Sequence, residues 1–166
     1  GSFGSEVVLT TGANGVSSVF TGDLDRDGDV DIASVSRNDH ELAWFENRML
    51  HRDAYLLDHH TINTAANGAR SAVAADIDHD GDLDVVFASS SDFTVGWHEN
   101  TDGNGTFGAE QIIAIGSGVV WAPHDVETAD VDGDGDLDVL SASNGDDKIA
   151  WYANTNGAGT FGAQQV

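Results

Sequence analysis

The sequence predicts an all-β fold of three β-propeller blades, each with four strands, in a chain of 166 residues. Three observations carry that prediction. First, a nine-residue acidic word occurs as Asp23-Leu-Asp-Arg-Asp-Gly-Asp-Val-Asp31, Asp76-Ile-Asp-His-Asp-Gly-Asp-Leu-Asp84 and Asp130-Val-Asp-Gly-Asp-Gly-Asp-Leu-Asp138, its starts 53 residues (23 to 76) and 54 residues (76 to 130) apart. Second, the same short apolar segments and turns surround every copy, and four short strands in roughly 50 residues is the pattern of a propeller blade. Third, a single proline, Pro123, and the lack of any long stretch with 3.6-residue periodicity argue against a helical fold.

Within each repeat the strands are labelled A to D. Strand A leads into the acidic word, and small residues such as Ala72-Val-Ala-Ala75 suit an inner strand crowded near a propeller axis. Strand B leaves the word, as Val30–Val35, Leu83–Ser89 and Leu137–Ser143. Strand C carries a tryptophan, as Leu42-Ala-Trp-Phe-Glu-Asn47, Val95-Gly-Trp-His-Glu-Asn100 and Ile149-Ala-Trp-Tyr-Ala-Asn154. Strand D carries Phe-Gly, as Thr106–Ile113 and Gly159–Val166, and the same phase opens the chain as Gly1–Val8. The second repeat departs here, with His51–Asp58 in place of Phe-Gly. The repeats therefore run over about 1–50, 51–104 and 105–158 of a single propeller unit, with an extra outer strand at 159–166.

Three blades are too few for a ring, because propellers close with roughly four to eight. Either two chains join head to tail as a six-bladed homodimer, residues 1–10 of one chain being able to pair with strand C of the other, or the chain is part of a longer propeller. The opening Gly1-Ser2 in place of Met fits a removed leader or an excised piece.

Five carboxylates within nine residues repel one another unless a cation gathers them. Gly28, Gly81 and Gly135 at the sixth position suit a sharp turn with positive φ, around which positions 1, 3 and 5 converge on a hard, oxygen-seeking ion. Calcium is the first reading, one ion per repeat and three per chain. Asp23, Asp25 and Asp27 would give side-chain oxygens, Asp29 its carbonyl and Asp31 a closing carboxylate. The same roles fall to Asp76, Asp78, Asp80, Asp82 and Asp84, then to Asp130, Asp132, Asp134, Asp136 and Asp138. An EF-hand is excluded, because it needs Glu at position 12 and flanking helices, whereas position 12 holds Ser34, Phe87 and Ser141 between strands. Magnesium, which keeps several waters in a rigid octahedron, fits less well.

The order of acidic loop, Trp-x-x-Asn and Thr/Ser-Phe-Gly resembles the FG-GAP/VCBS repeat, used by integrin α-subunit heads and by the Psathyrella velutina lectin. The resemblance covers essentially the whole chain. It implies propeller blades, calcium in the acidic loops on a bottom rim, and ligand binding on the opposite face.

Composition narrows the partners. The formal charge of −23 arises from 29 acids against 6 Lys and Arg, and three divalent ions (+6) would bring it to −17. Such a surface repels nucleic acid and anionic membrane. With no Cys, disulfides cannot staple the fold, and metal is the substitute. No run approaches the roughly 18 apolar residues of a membrane span. Loops this acidic fill where free calcium is plentiful, which predicts a secreted, extracellular protein.

Strand alternation places the D–A and B–C connections on one face, opposite the acidic loops. Candidate ligand residues there are Arg37, Asn38 and His40; Asn67, Arg70, Asp92 and Phe93; and Trp121, His124, Asn144, Asp146 and Lys148. Such groups bind sugar hydroxyls and stack on a pyranose, and they are also what ordinary polar turns are made of. Trp121 stands out because the other repeats have no Trp at that place, whereas Trp44, Trp97 and Trp151 recur and so read as inter-blade packing. No catalytic constellation is present: neither His40-Glu41 nor His98-Glu99 extends to His-Glu-x-x-His, and there is no Gly-x-Ser-x-Gly or P-loop. The expectation is a non-enzymatic, calcium-stabilised lectin with glycan sites between blades. The alternatives are a protein-interaction or adhesion module, or an accessory domain of a larger secreted protein.

Overall fold

The computed structural model describes residues 8–48, 56–116 and 121–166. Among them are eleven strands: β1 (Val16–Gly22), β2 (Asp31–Ser36), β3 (Glu41–Asn47), β4 (Leu56–Asn63), β5 (Ala69–Ala75), β6 (Asp84–Ser89), β7 (Thr94–His98), β8 (Gln111–Ile115), β9 (Pro123–Ala129), β10 (Asp138–Ser143) and β11 (Lys148–Tyr152), with no helix. They form three antiparallel sheets in chain order, β1 to β4, β5 to β8 and β9 to β11, which are blades 1, 2 and 3. Each sheet holds strand D after strand C, so the sheets are offset by one strand from the sequence period. The expected opening strand at 1–8 and the outer strand at 51–58 fall largely outside the described residues, which omit 1–7 and 49–55.

Strand D differs from its expected span. Phe107 and Phe161 form single bridges to Asn100 and Asn154, and β8 begins only at Gln111. The cause is the turn before it. Thr101 N–H donates to the Thr106 carbonyl at 2.9 Å and Gly108 N–H to the Glu99 carbonyl at 2.7 Å, so Phe-Gly closes the C–D turn instead of opening a ladder. Blade 3 repeats this with Thr155 to Thr160 and Gly162 to Ala153, both at 2.8 Å, and pairing resumes at Gln165, which exchanges two bonds with Trp151 at 3.0 Å each.

The A strands stand side by side, β1 beside β5 and β5 beside β9. Ser17 Oγ donates to the Ala69 carbonyl at 2.8 Å and Ser71 Oγ to Asp125 Oδ1 at 2.6 Å, stitching these inner strands together. Apolar side chains fill the two seams between blades. Phe20, Leu24, Val35 and Leu42 of blade 1 meet Ala72, Val85, Phe87 and Phe107 of blade 2. Val86, Val95 and Trp97 of blade 2 meet Val126, Val139 and Tyr152 of blade 3. Every residue of β6 and β7 is buried, as expected for the blade with a neighbour on both sides.

Two of the three recurring tryptophans, Trp44 and Trp97, sit in these seams, whereas Trp151, read with them as inter-blade packing, is only partly buried on blade 3. Trp44 and Trp97 are buried, and a Cβ on Gly105 or Gly159 would fall 2.3 Å from the Trp44 ring or 2.2 Å from the Trp97 ring. The C–D loop of one blade thus lies directly on the tryptophan of the blade before it, and only glycine allows that approach. Replacing Trp97 by Ala is expected to cost about 3–5 kcal/mol of unfolding free energy. Gly159→Ala should also destabilise, since φ is +71° and the ring must move. Denaturant titration measures both, and an unchanged midpoint for Gly159→Ala would refute the close contact.

Candidate functional site

Each acidic word forms the A–B loop of its blade with one hydrogen-bond scheme. At positions 3 and 5 the carboxylate accepts from the N–H two residues on: Asp25 from Asp27 (3.2 Å) and Asp27 from Asp29 (2.8 Å). The second loop has Asp78 with Asp80 (3.2 Å) and Asp80 with Asp82 (2.8 Å), and the third Asp132 with Asp134 (3.2 Å) and Asp134 with Asp136 (2.9 Å). Gly28, Gly81 and Gly135 have φ of 93°, 92° and 98°. Position 4 also has positive φ, at 59° for Arg26, 61° for His79 and 81° for Gly133. Side-chain-to-backbone turns of this kind hold strained residues in place.

This scaffold brings three carboxylates together in each loop: Asp23, Asp25 and Asp27; Asp76, Asp78 and Asp84; Asp130, Asp132 and Asp138, their ligand oxygens within 4.8 Å of one another. Asp31, Asp80 and Asp134 stand outside these groups of three. The position-7 side chains serve the seams: Asp82 pairs with Arg26 of blade 1, and Asp136 Oδ1 lies 3.4 Å from His79 Nδ1 of blade 2. The donor set fits a hard divalent cation in two respects. All donors are carboxylate oxygens, and Oδ1 of Asp23 and of Asp76 is buried with no hydrogen-bond partner, a costly arrangement without a positive ion.

The ninth carboxylate, Asp31, Asp84 or Asp138, is fully buried and works as a clasp. Asp84 accepts the N–H groups of Ile77 and Asn100, both at 2.9 Å. Asp31 accepts Leu24 and Asn47 at 2.8 Å, and Asp138 accepts Val131 at 3.0 Å and Asn154 at 2.9 Å. The asparagine then crosses the seam: Asn100 Nδ2 donates to the Leu24 carbonyl and Asn154 Nδ2 to the Ile77 carbonyl, each at 2.9 Å. These asparagines are part of the Trp-x-x-Asn pattern, which by itself assigns them no role. Their recurrence after every strand C was the available signal.

Burial, opposed by those two N–H groups and reinforced by Asp78 and Asp80, pushes Asp84 up to about 7. Asp31 is also raised, chiefly by burial, and so are Asp25, Asp78 and Asp132, by desolvation and neighbouring carboxylates.

A fourth cluster, Glu46, Asp58 and His60, lies across β3 and β4 of blade 1. Arg48 bonds Glu46 at 2.6 and 2.9 Å and Asp58 at 2.8 Å, so a guanidinium already occupies the place of a cation. Its bonds hold the Glu46 carboxyl below the ordinary value.

On the opposite rim, the D–A and B–C connections meet as expected. Arg37 N–H donates to the Gly15 carbonyl at 3.0 Å, Ser90 to Gly68 at 3.1 Å and Asn144 to Ala122 at 3.3 Å. The candidate ligand residues form separate groups here. Asn38 Nδ2 donates to Asn14 Oδ1 at 3.1 Å, and Gly68 N–H donates to His40 Nδ1 at 3.3 Å across the first seam. Asp92 is committed internally, accepting from Ser89 Oγ at 2.5 Å and Asn67 N–H at 3.1 Å, while Arg70 Nε donates to Ser90 Oγ at 3.1 Å. Phe93 and Trp121 meet edge to face across the second seam, ring centres 6.0 Å apart, with Trp121 46% exposed. His124, Asn144 and Lys148 line a depression at the free end of blade 3, beside the Lys148–Asp146 ion pair of 2.9 Å.

Blades with acidic A–B loops and inter-blade tryptophans define a β-propeller repeat protein. Residues 23–87 and 76–141 match the model of the FG-GAP-like repeat, together spanning 23–141, which is 119 (141 − 23 + 1) of 166 residues. The chain belongs to the FG-GAP-like repeat family. A search of curated proteins finds no match.

A pH dependence follows for the metal-free protein. The folded-state pKa of Asp84 lies above its ordinary 3.8, so the folded state holds the proton more tightly and gains stability from it. That contribution is complete below 3.8 and is lost as pH rises to about 7. The melting temperature in excess chelator should therefore fall across this window. A melting temperature that rises from pH 5 to pH 7 would contradict it.

Proposed function

We propose that the chain is a calcium-stapled, carbohydrate-binding propeller module, secreted and with no catalysis of its own. The observation that carries the glycan reading is Trp121. It is a large aromatic left half-exposed on the rim opposite the acidic loops, held edge-on by Phe93 at a seam between blades. A rigid aromatic face suits a pyranose, whose C–H face stacks on it while its hydroxyls hydrogen-bond to polar groups. The resemblance to the Psathyrella velutina lectin supports the same ligand class. With a net charge of −23, or −17 with three divalent ions, neutral sugars are favoured over sulfated or sialylated ones.

The calcium part of the reading rests on the three carboxylate triads and on the orphaned Oδ1 atoms of Asp23 and Asp76. The ions would staple strand A to strand B in each blade, at the rim away from the ligand. A second reading is a protein-interaction or adhesion module, favoured by the same Trp121–Phe93 pair, which also fits an apolar peptide side chain.

The test is a glycan array probed with the calcium-loaded protein. Trp121→Ala should weaken binding about tenfold or more while leaving the protein folded at the assay temperature, its melting curve lowered only by the lost contact with Phe93. A blank array overturns the lectin reading, and a protein partner captured without competition by sugars supports the second one. Independently, excess EDTA at neutral pH should lower the melting temperature by several degrees. An unchanged value removes calcium stapling.

A further inference from the structure

We propose that the two end faces of the blade row are matching halves of one seam, covered by a second copy of this chain joined head to tail. The two internal seams share one anatomy, and each end of the row displays half of it.

At an internal seam, the leading blade presents its loop residue at position 2 and the first apolar residue of strand C. Leu24 and Leu42 in blade 1, and Ile77 and Val95 in blade 2, are fully buried there. Blade 3 presents Val131 and Ile149 at the same places, 45% and 75% exposed. The following blade presents strand A: Ala69 and Ala72 in blade 2, Pro123 and Val126 in blade 3, all buried. The ladder pairs Val19 with Ser34 as it pairs Ala72 with Phe87 and Val126 with Ser141, so blade 1 presents Val16 and Val19 there. These are 51% and 65% exposed. Val30, where Leu83 packs into the first seam, is 56% exposed.

The polar tie repeats the logic. Asn100 Nδ2 bonds the Leu24 carbonyl of the preceding blade at 2.9 Å and the Leu83 carbonyl of its own at 3.4 Å. Asn47 keeps the own-blade bond, to the Val30 carbonyl at 3.0 Å. The counterpart of the other acceptor is the Val131 carbonyl at the far end of the row. A heterologous contact between unlike faces closes into a ring when the rotation permits, and two chains of three blades supply six, within the roughly four to eight that close.

The intermolecular seam is the weaker kind. Gly133 stands where Arg26 and His79 reach across to Asp82 and Asp136. Glu127 replaces Phe20 and Val73 in the ladder. Association is therefore concentration-dependent.

Sedimentation equilibrium in calcium should give twice 17.4 kDa at high concentration, falling toward 17.4 kDa on dilution. Val19→Asp and Ile149→Asp each spoil one half of the seam and should weaken association about tenfold or more. Both sites are exposed, so far-UV circular dichroism and melting of the dilute variants should match the parent. An equimolar mixture of the two variants should associate again, because it offers one intact pair of faces. A parent chain that stays at 17.4 kDa throughout, or a mixture no better than either variant alone, overturns the proposal.

Discussion

The structure depends on one buried carboxyl group per blade. Asp31, Asp84 and Asp138 have no solvent exposure, and a carboxylate so placed is tolerable only if its oxygens are satisfied. Each binds the second residue of the acidic loop with one oxygen and the asparagine after strand C with the other, which fixes the loop against two strands at once. In blades 2 and 3 that asparagine, so positioned, reaches the preceding blade's loop carbonyl. Loop conformation, blade integrity and blade-to-blade register are therefore one connected network. In the first two loops it is joined to carboxylates with buried, unpartnered oxygens, so an ion bound there would act on the whole network and not merely on nine residues.

Much of this is legible in the sequence because it repeats. The period fixes the blades, and glycine at position 6 is needed because L-side chains avoid φ near 90°. Other features were hidden for identifiable reasons. Positive φ at Arg26 and His79 is imposed by the turns on either side, and only Gly133 in the third copy hints at it. Phe-Gly reads as a strand because Phe favours one, yet Gly108 and Gly162 are drawn back to the carbonyls of Glu99 and Ala153. The aspartates look interchangeable as residue types. Their division into ligand groups, a clasp and a seam partner depends on which N–H or guanidinium each one meets, and that is a tertiary fact.

Crowding fifteen of the 29 acids into three neighbouring loops sets a second problem, because the loops repel one another as well as themselves. The position-4 residue answers it. Arg26 reaches Asp82 of the second loop and His79 approaches Asp136 of the third, so a nitrogen-bearing side chain bridges each seam. The opposite rim has no such burden, and there the repeats diverge: Asn14 and Asn67 correspond to Trp121. Architecture is repeated on one rim and individuality is confined to the other.

A row of blades is nearly one-dimensional, each blade resting only on its neighbours, so stability is greatest in the middle. Blade 2 has both faces covered, and its central strands β6 and β7 are entirely buried, while β1 and β9 at the ends are largely open. Phe93 belongs to this central blade, and Trp121 leans on it across a filled seam. His124, Asn144 and Lys148 instead border the free face of blade 3, where a further blade would approach. A ligand site needs side chains held in place before the ligand arrives, since ordering them on binding costs affinity. Of the candidate groups on the rim, the Phe93–Trp121 seam alone joins an exposed aromatic to the most constrained part of the chain, which is why the proposed recognition is assigned to it, while the groups at the open end fall beside the proposed contact between copies.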